Sequence, residues 1–137
     1  MNFQRVGLAA LAAWAVYLAI GFLIHGVMLA DLWDSLQREG IARSAATGDA
    51  ILPLGLALAL PGAFAFAYGY AKGYEGGPGL QEGLRFGVLV GLMLVAFGLT
   101  WNYVSFPLPL QYLTSMAVAT VIQFAAVGMT VGLIYRR

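Results

Sequence analysis

The sequence has no cysteine and a single histidine. A disulfide framework, a thiolate metal site and a cysteine nucleophile are therefore excluded, and a bis-histidine haem or zinc site within one chain lacks its ligands. Only a symmetric oligomer pairing His25 across an axis could supply two imidazoles. Charge is nearly as scarce. Charged residues make up 9% of the 137, and all of them fall within residues 1–5, 31–49, 72–85 and 136–137. A soluble domain of this size leaves about 30–40% of its unfolded chain's accessible area in water and needs charge spread along the chain. This chain is not such a domain.

The same scarcity narrows function. A net charge of +1 gives no basic patch, so no nucleic-acid partner is expected. No Asp, Glu, Lys or Arg lies inside the uncharged blocks, which disfavours proton-coupled pumping and voltage sensing. Loop carboxylates such as Asp31 and Asp34 form no spaced motif, so no enzyme activity and no cofactor are expected. The glycine-rich stretch after Lys72 lacks the spacing of a phosphate-binding loop and reads as a flexible connection.

What is present is three uncharged blocks, residues 6–30, 50–71 and 86–135. Roughly 20 apolar residues cross a hydrocarbon core about 30 Å thick, so each block can span a membrane. As one helix the third block would reach about 75 Å, more than twice that thickness, so it must turn back. Pro107 and Pro109 mark the turn, because each removes a backbone donor and pushes its predecessor out of the helical region. The expected fold is all-α: one four-helix transmembrane domain over residues 1–137, with spans at about 6–30, 50–71, 86–102 and 110–135. Its antiparallel bundle can be read as two tandem helical hairpins. A short echo between Arg5-Val6-Gly7-Leu8 and Arg85-Phe86-Gly87-Val88 points the same way.

Arg5, Lys72, Arg85, Arg136 and Arg137 fall on one side of these spans and Arg38 and Arg43 on the other. Five against two places both termini in the cytoplasm of a multi-pass inner-membrane protein. A secretory signal has an apolar region of about 7–15 residues, shorter than the first block, so that helix is expected to be retained. The helical pattern runs on past Ala30 through Leu32, Trp33 and Leu36 to a natural stop at Gly40. Asp49 is the expected cap of the second helix, with Pro53 near its first turn. Pro61, in mid-span, predicts a kink, since the carbonyl of Ala57 loses its helical donor.

Helices in lipid associate through close backbone approach and polar contacts. Gly83, Gly87 and Gly91 in the third span and Gly128 and Gly132 in the fourth are the expected packing positions, either within the bundle or between copies. His25 is expected to share a helical face with Trp14, Tyr17, Gly21 and Met28. At similar depth lie Trp101, Asn102 and Tyr103, so these side chains form either an outward-facing ligand pocket or interhelical polar contacts with interfacial aromatics. Gln123, mid-span, needs an interhelical partner.

The runs Phe22-Leu23-Ile24-His25-Gly26-Val27-Met28-Leu29-Ala30-Asp31, Tyr70-Ala71-Lys72-Gly73-Tyr74-Glu75-Gly76-Gly77 and Gly83-Leu84-Arg85-Phe86-Gly87 resemble small bacterial four-helix integral membrane proteins of unknown function. That resemblance implies a four-helix fold and no activity. Gly21-Phe22-Leu23-Ile24-His25-Gly26 also resembles the DoxX-type family, with Met28 to Asp31 standing where a basic residue would follow. Two functions fit these observations. One is a non-enzymatic structural or accessory subunit, part of a larger membrane complex or a homo-oligomer, packing through glycine-rich faces. The other is a binder or carrier of a small apolar or amphipathic ligand, a lipid or quinone, near His25.

Overall fold

In a computed structural model, which describes residues 1–135, the chain folds as α1 (Phe3–Gly21), α2 (Ala30–Arg38), α3 (Ala45–Gly73), α4 (Gly79–Leu94), α5 (Thr100–Ser105) and α6 (Leu110–Ile134). π-Helical windings, Phe22–Met28 after α1 and Val95–Leu99 between α4 and α5, extend two of these helices without a break in the rod. Four rods are long and apolar enough to cross a membrane: Phe3–Met28, Ala45–Gly73, Gly79–Ser105 and Leu110–Ile134. The fold is all-α and polytopic, with no strand among the described residues. Arg136 and Arg137, used above for orientation, lie outside the described residues.

The helix ends follow local chemistry. The Asn2 side chain accepts from Arg5 N–H at 3.2 Å and starts α1. Ser44, not Asp49, caps α3: its hydroxyl accepts from Thr47 N–H at 3.4 Å, so the helix begins a turn earlier than expected and Pro53 lies inside it. The stop at Gly40 is a Schellman closure. Ile41 N–H donates to the Leu36 carbonyl at 2.9 Å and Gly40 N–H to Gln37 at 3.1 Å, with Gly40 at φ +73°. The third rod starts at Gly79, seven residues before the uncharged block, and carries on through Asn102 and Tyr103 to Ser105. Phe106, extended ahead of Pro107, ends it, and α6 resumes after Pro109.

α1 packs against α3 and against α6, and α4 packs along α6, whereas α3 touches α6 only sparsely. Two sequence-adjacent hairpins, α1 with α3 and α4 with α6, are thus joined through α1 and α6, and the α3–α4 side of the bundle stays loosely closed. The core sits at one end: Val6, Ala9, Ala10 and Ala13 of α1 pack with Phe66, Ala67, Tyr70 and Ala71 of α3 and with Val127, Val131 and Tyr135. Tyr70, Tyr74 and Tyr135 close that end with ring centroids 5.9–6.3 Å apart. The connection after α3, expected to be flexible, is held by Glu75 N–H donating to Glu82 Oε1 at 3.0 Å. In contrast, residues 45–65 of α3 include no buried residue.

α4 and α6 approach most closely where both helices are glycine. A methyl group built on Gly79 or Gly83 would overlap the carbonyl of Gly132 or Gly128, and one on Gly87 the carbonyl of Phe124; Gly91 faces Val121. These ridgeless faces are filled by each other within one chain, which lets backbones meet where lipid offers no hydrophobic drive. The sequence echo between the hairpins does not extend to this contact, because Gly7 has nothing within 4 Å of its would-be Cβ.

Candidate functional site: a cavity between the hairpins

Because α3 and α4 meet only sparsely, a cavity of about 410 Å³ remains between them, reached by residues of all four long helices. α1 contributes Ala13 and Tyr17, α3 Ala59, Gly62, Ala63 and Phe66, α4 Phe86, Val90 and Leu94, and α6 Phe124 and Val127. Its volume is that of an ordinary small-ligand pocket, roughly 300–1,000 Å³. Tyr17, Gly62, Val90 and Phe124 each lie at least ten residues from either end of their rod, so the cavity sits at mid-span. Four rings line it in a continuous series of edge and tilted contacts: Tyr17 to Phe124 at 5.9 Å, Phe124 to Phe66 at 5.9 Å, and Phe66 to Phe86 at 4.9 Å.

Two polar side chains fix the frame around the cavity. Gln123, 5% exposed, donates through Nε2 to the Tyr17 carbonyl at 2.8 Å and ties α6 to α1. Trp14 Nε1 donates to the Leu56 carbonyl at 3.0 Å and ties α1 to α3. That acceptor is the neighbour of Ala57, whose carbonyl Pro61 deprives of its helical donor. α3 nonetheless runs as one helix through both Pro53 and Pro61.

His25 is placed differently from the expectation of a shared face with Trp14, Tyr17 and Met28. The π-helical winding begins at Phe22, and its i→i+5 bonding turns the residues after it out of the 3.6-residue register. Met28 ends 77% exposed. The ring of His25 instead meets Trp33 of α2 edge-on at 6.0 Å, and Trp33 meets Tyr112 of α6 at 6.1 Å. His25 Nδ1 and Trp33 Nε1 are both sealed from solvent with no hydrogen-bond partner among the described residues. Trp101 is 63% exposed, Asn102 is exposed and Tyr103 half-buried, and no hydrogen bond or ring contact joins any of them to His25. The structure therefore places Trp14, Tyr17 and Gln123 around the mid-span cavity, and His25 apart from them, with Trp33 and Tyr112 near the α2 end of the bundle.

Phe66, Phe86, Val90 and Phe124 were not singled out by sequence, since an apolar residue in a span has no distinguishing pattern. One signal was available. Gly48, Gly55, Gly62 and Gly69 recur every seven residues on α3, and the first three have nothing within 4 Å of a would-be Cβ. A small-residue stripe that no helix fills marks the side left open.

The fold and cavity define an all-α polytopic protein whose four long helices are suited to a membrane. No protein-family model, no curated protein and no solved structure matches the chain. Among the described residues no group of three or more His, Cys, Asp or Glu could hold a metal ion.

Proposed function

We propose that this protein is a non-enzymatic, multi-pass inner-membrane protein that binds a small apolar or amphipathic molecule in the cavity between α3 and α4. The observation that carries the reading is the 410 Å³ space itself, walled by apolar side chains from all four long helices and left open along the α3–α4 side. A chain taken from the bilayer enters such a space sideways, without crossing a polar surface, and is held there by van der Waals packing against the wall, since lipid tails are themselves apolar. In this reading the ligand lies at mid-span rather than near His25. Both termini face the cytoplasm in this reading, supported by Arg5, Lys72 and Arg85 against Arg38 and Arg43. The likeness to small bacterial four-helix membrane proteins is part of the same proposal and adds no activity.

A fluorescent fatty-acyl probe titrated into purified protein tests the reading. Gly62 lines the cavity and a Cβ there meets nothing within 4 Å, so Gly62→Phe can fill the space without disturbing the backbone. Saturable binding that Gly62→Phe abolishes, at unchanged helix content, is the expected result. Probe uptake identical in both proteins would refute it.

The structural or accessory reading is favoured by one observation: residues 45–65 of α3 carry no buried residue. The glycines of α4 and α6 face one another inside the chain, so the glycine face left to meet a second copy in this reading is that of α3. Mass determination in detergent, with Gly55→Leu as the variant, reads this directly: a dimer lost in the variant supports it, and a monomer in both removes it.

A further inference from the structure

Among the described residues that line the cavity, Tyr17 alone has a polar side chain. Its backbone carbonyl receives Gln123, its ring meets Phe124, and its hydroxyl has no hydrogen-bond partner among the described residues. At mid-span water is scarce, and a hydroxyl in an apolar medium is unfavourable without a partner. The donor is therefore suited to an acceptor that arrives with the ligand. The Tyr17 ring meets that of Phe124, which leads in series to Phe66 and Phe86 along the cavity wall. Aromatic faces and edges favour a flat conjugated ring in offset or edge-on contact over a flexible chain.

Resting on the binding reading above, we infer that the ligand is a neutral amphiphile of the quinone class, a flat ring bearing a carbonyl on an apolar tail. Its carbonyl oxygen accepts from the Tyr17 hydroxyl, its ring lies against Phe124, Phe66 and Phe86, and its tail leaves between α3 and α4 past Gly62 and Leu94. A phospholipid does not satisfy the same groups, because its charged head holds the ester carbonyls at the interface and only methylenes reach mid-span. A neutral ring carries its acceptor to that depth.

The test compares decyl-benzoquinone with decylbenzene, which has the same tail and a ring without carbonyls, on the full chain in detergent. The wild-type protein is expected to bind decyl-benzoquinone roughly tenfold more tightly, the worth of one hydrogen bond in a dry site. The carbonyl stretching band of the bound quinone should fall relative to the free probe in the same detergent. Tyr17→Phe should reduce the preference to less than about twofold while leaving decylbenzene affinity unchanged, since Gln123 bonds to backbone at this residue. Equal affinities in the wild type, an unshifted carbonyl band, or a preference that survives in Tyr17→Phe would overturn the quinone assignment and leave the cavity reading standing. Failure of both probes to bind the wild type, or binding that Gly62→Phe does not weaken, would overturn both. The wild-type affinities and the band shift decide the matter even if Tyr17→Phe does not fold.

Discussion

The amide of Gln123 donates to the backbone carbonyl of Tyr17 at 2.8 Å, joining the last long helix to the first. It is the single hydrogen bond that crosses from one hairpin to the other at the depth of the cavity among the described side chains. Gly21 stands beside it, and a Cβ at that position would come within 2.9 Å of Gln123 Nε2. Removing the amide with Gln123→Leu is expected to destabilise the protein by roughly 0.6–1.7 kcal/mol, the range of interhelical hydrogen bonds in membranes. Gly21→Ala should cost a similar amount, because it displaces the same amide. In the double variant the two losses should not add, since both report one bond. Thermal or denaturant unfolding in detergent measures all three.

The α4–α6 contact predicts a contrast among glycines. Gly83→Ala and Gly128→Ala each place a methyl into a facing backbone carbonyl and should destabilise by about 1–3 kcal/mol, as overpacked sites do. Gly55→Ala and Gly98→Ala meet nothing within 4 Å and lie inside helical rods, so they should be neutral or stabilising by up to about 1 kcal/mol. Unfolding of the four single variants side by side checks the pattern.

Trp14 supplies its indole N–H to Leu56 beside the carbonyl that Pro61 strands. Trp14→Phe keeps an aromatic ring there and removes the donor, so a loss of about 1 kcal/mol is expected. Hydrogen exchange should report faster opening of α3 around residues 56–61 in this variant, with α6 unaffected.

Gly40 closes α2 in the left-handed region at φ +73°. Gly40→Ala should cost about 1–2 kcal/mol, the price of that conformation for a residue with a Cβ. Because α2 holds Trp33 against His25 and Tyr112, tryptophan emission should shift as the contact loosens.

The helices were legible in the sequence because lipid imposes a simple rule: residues without charge, in runs of sufficient length, and a turn where Pro107 and Pro109 leave no alternative. The helix ends were less so. Asp49 and Ser44 both offer a capping oxygen, and only the register of Thr47 N–H against Ser44 decides between them. The mutual fit of Gly83 with Gly128 needs two helices in place, although four-residue spacing already marked the positions. The π-helical winding at Phe22–Met28 has no periodic signature, so the face assigned to His25 on a 3.6-residue repeat was displaced by it. The cavity was hidden for a further reason. It is made by an incomplete closure: α3 and α4 meet through Phe66, Tyr70 and Phe86 and diverge beyond them, and Phe66, Phe86 and Phe124 line the gap with side chains indistinguishable by type from those facing lipid.

We propose above that the space between α3 and α4 holds an apolar ligand. Native mass spectrometry of the protein released from its own membrane in mild detergent tests it most directly. One small apolar molecule should be retained per wild-type chain and lost from Gly62→Phe under the same conditions. A wild-type chain that carries nothing, or a molecule retained equally by both proteins, would contradict it.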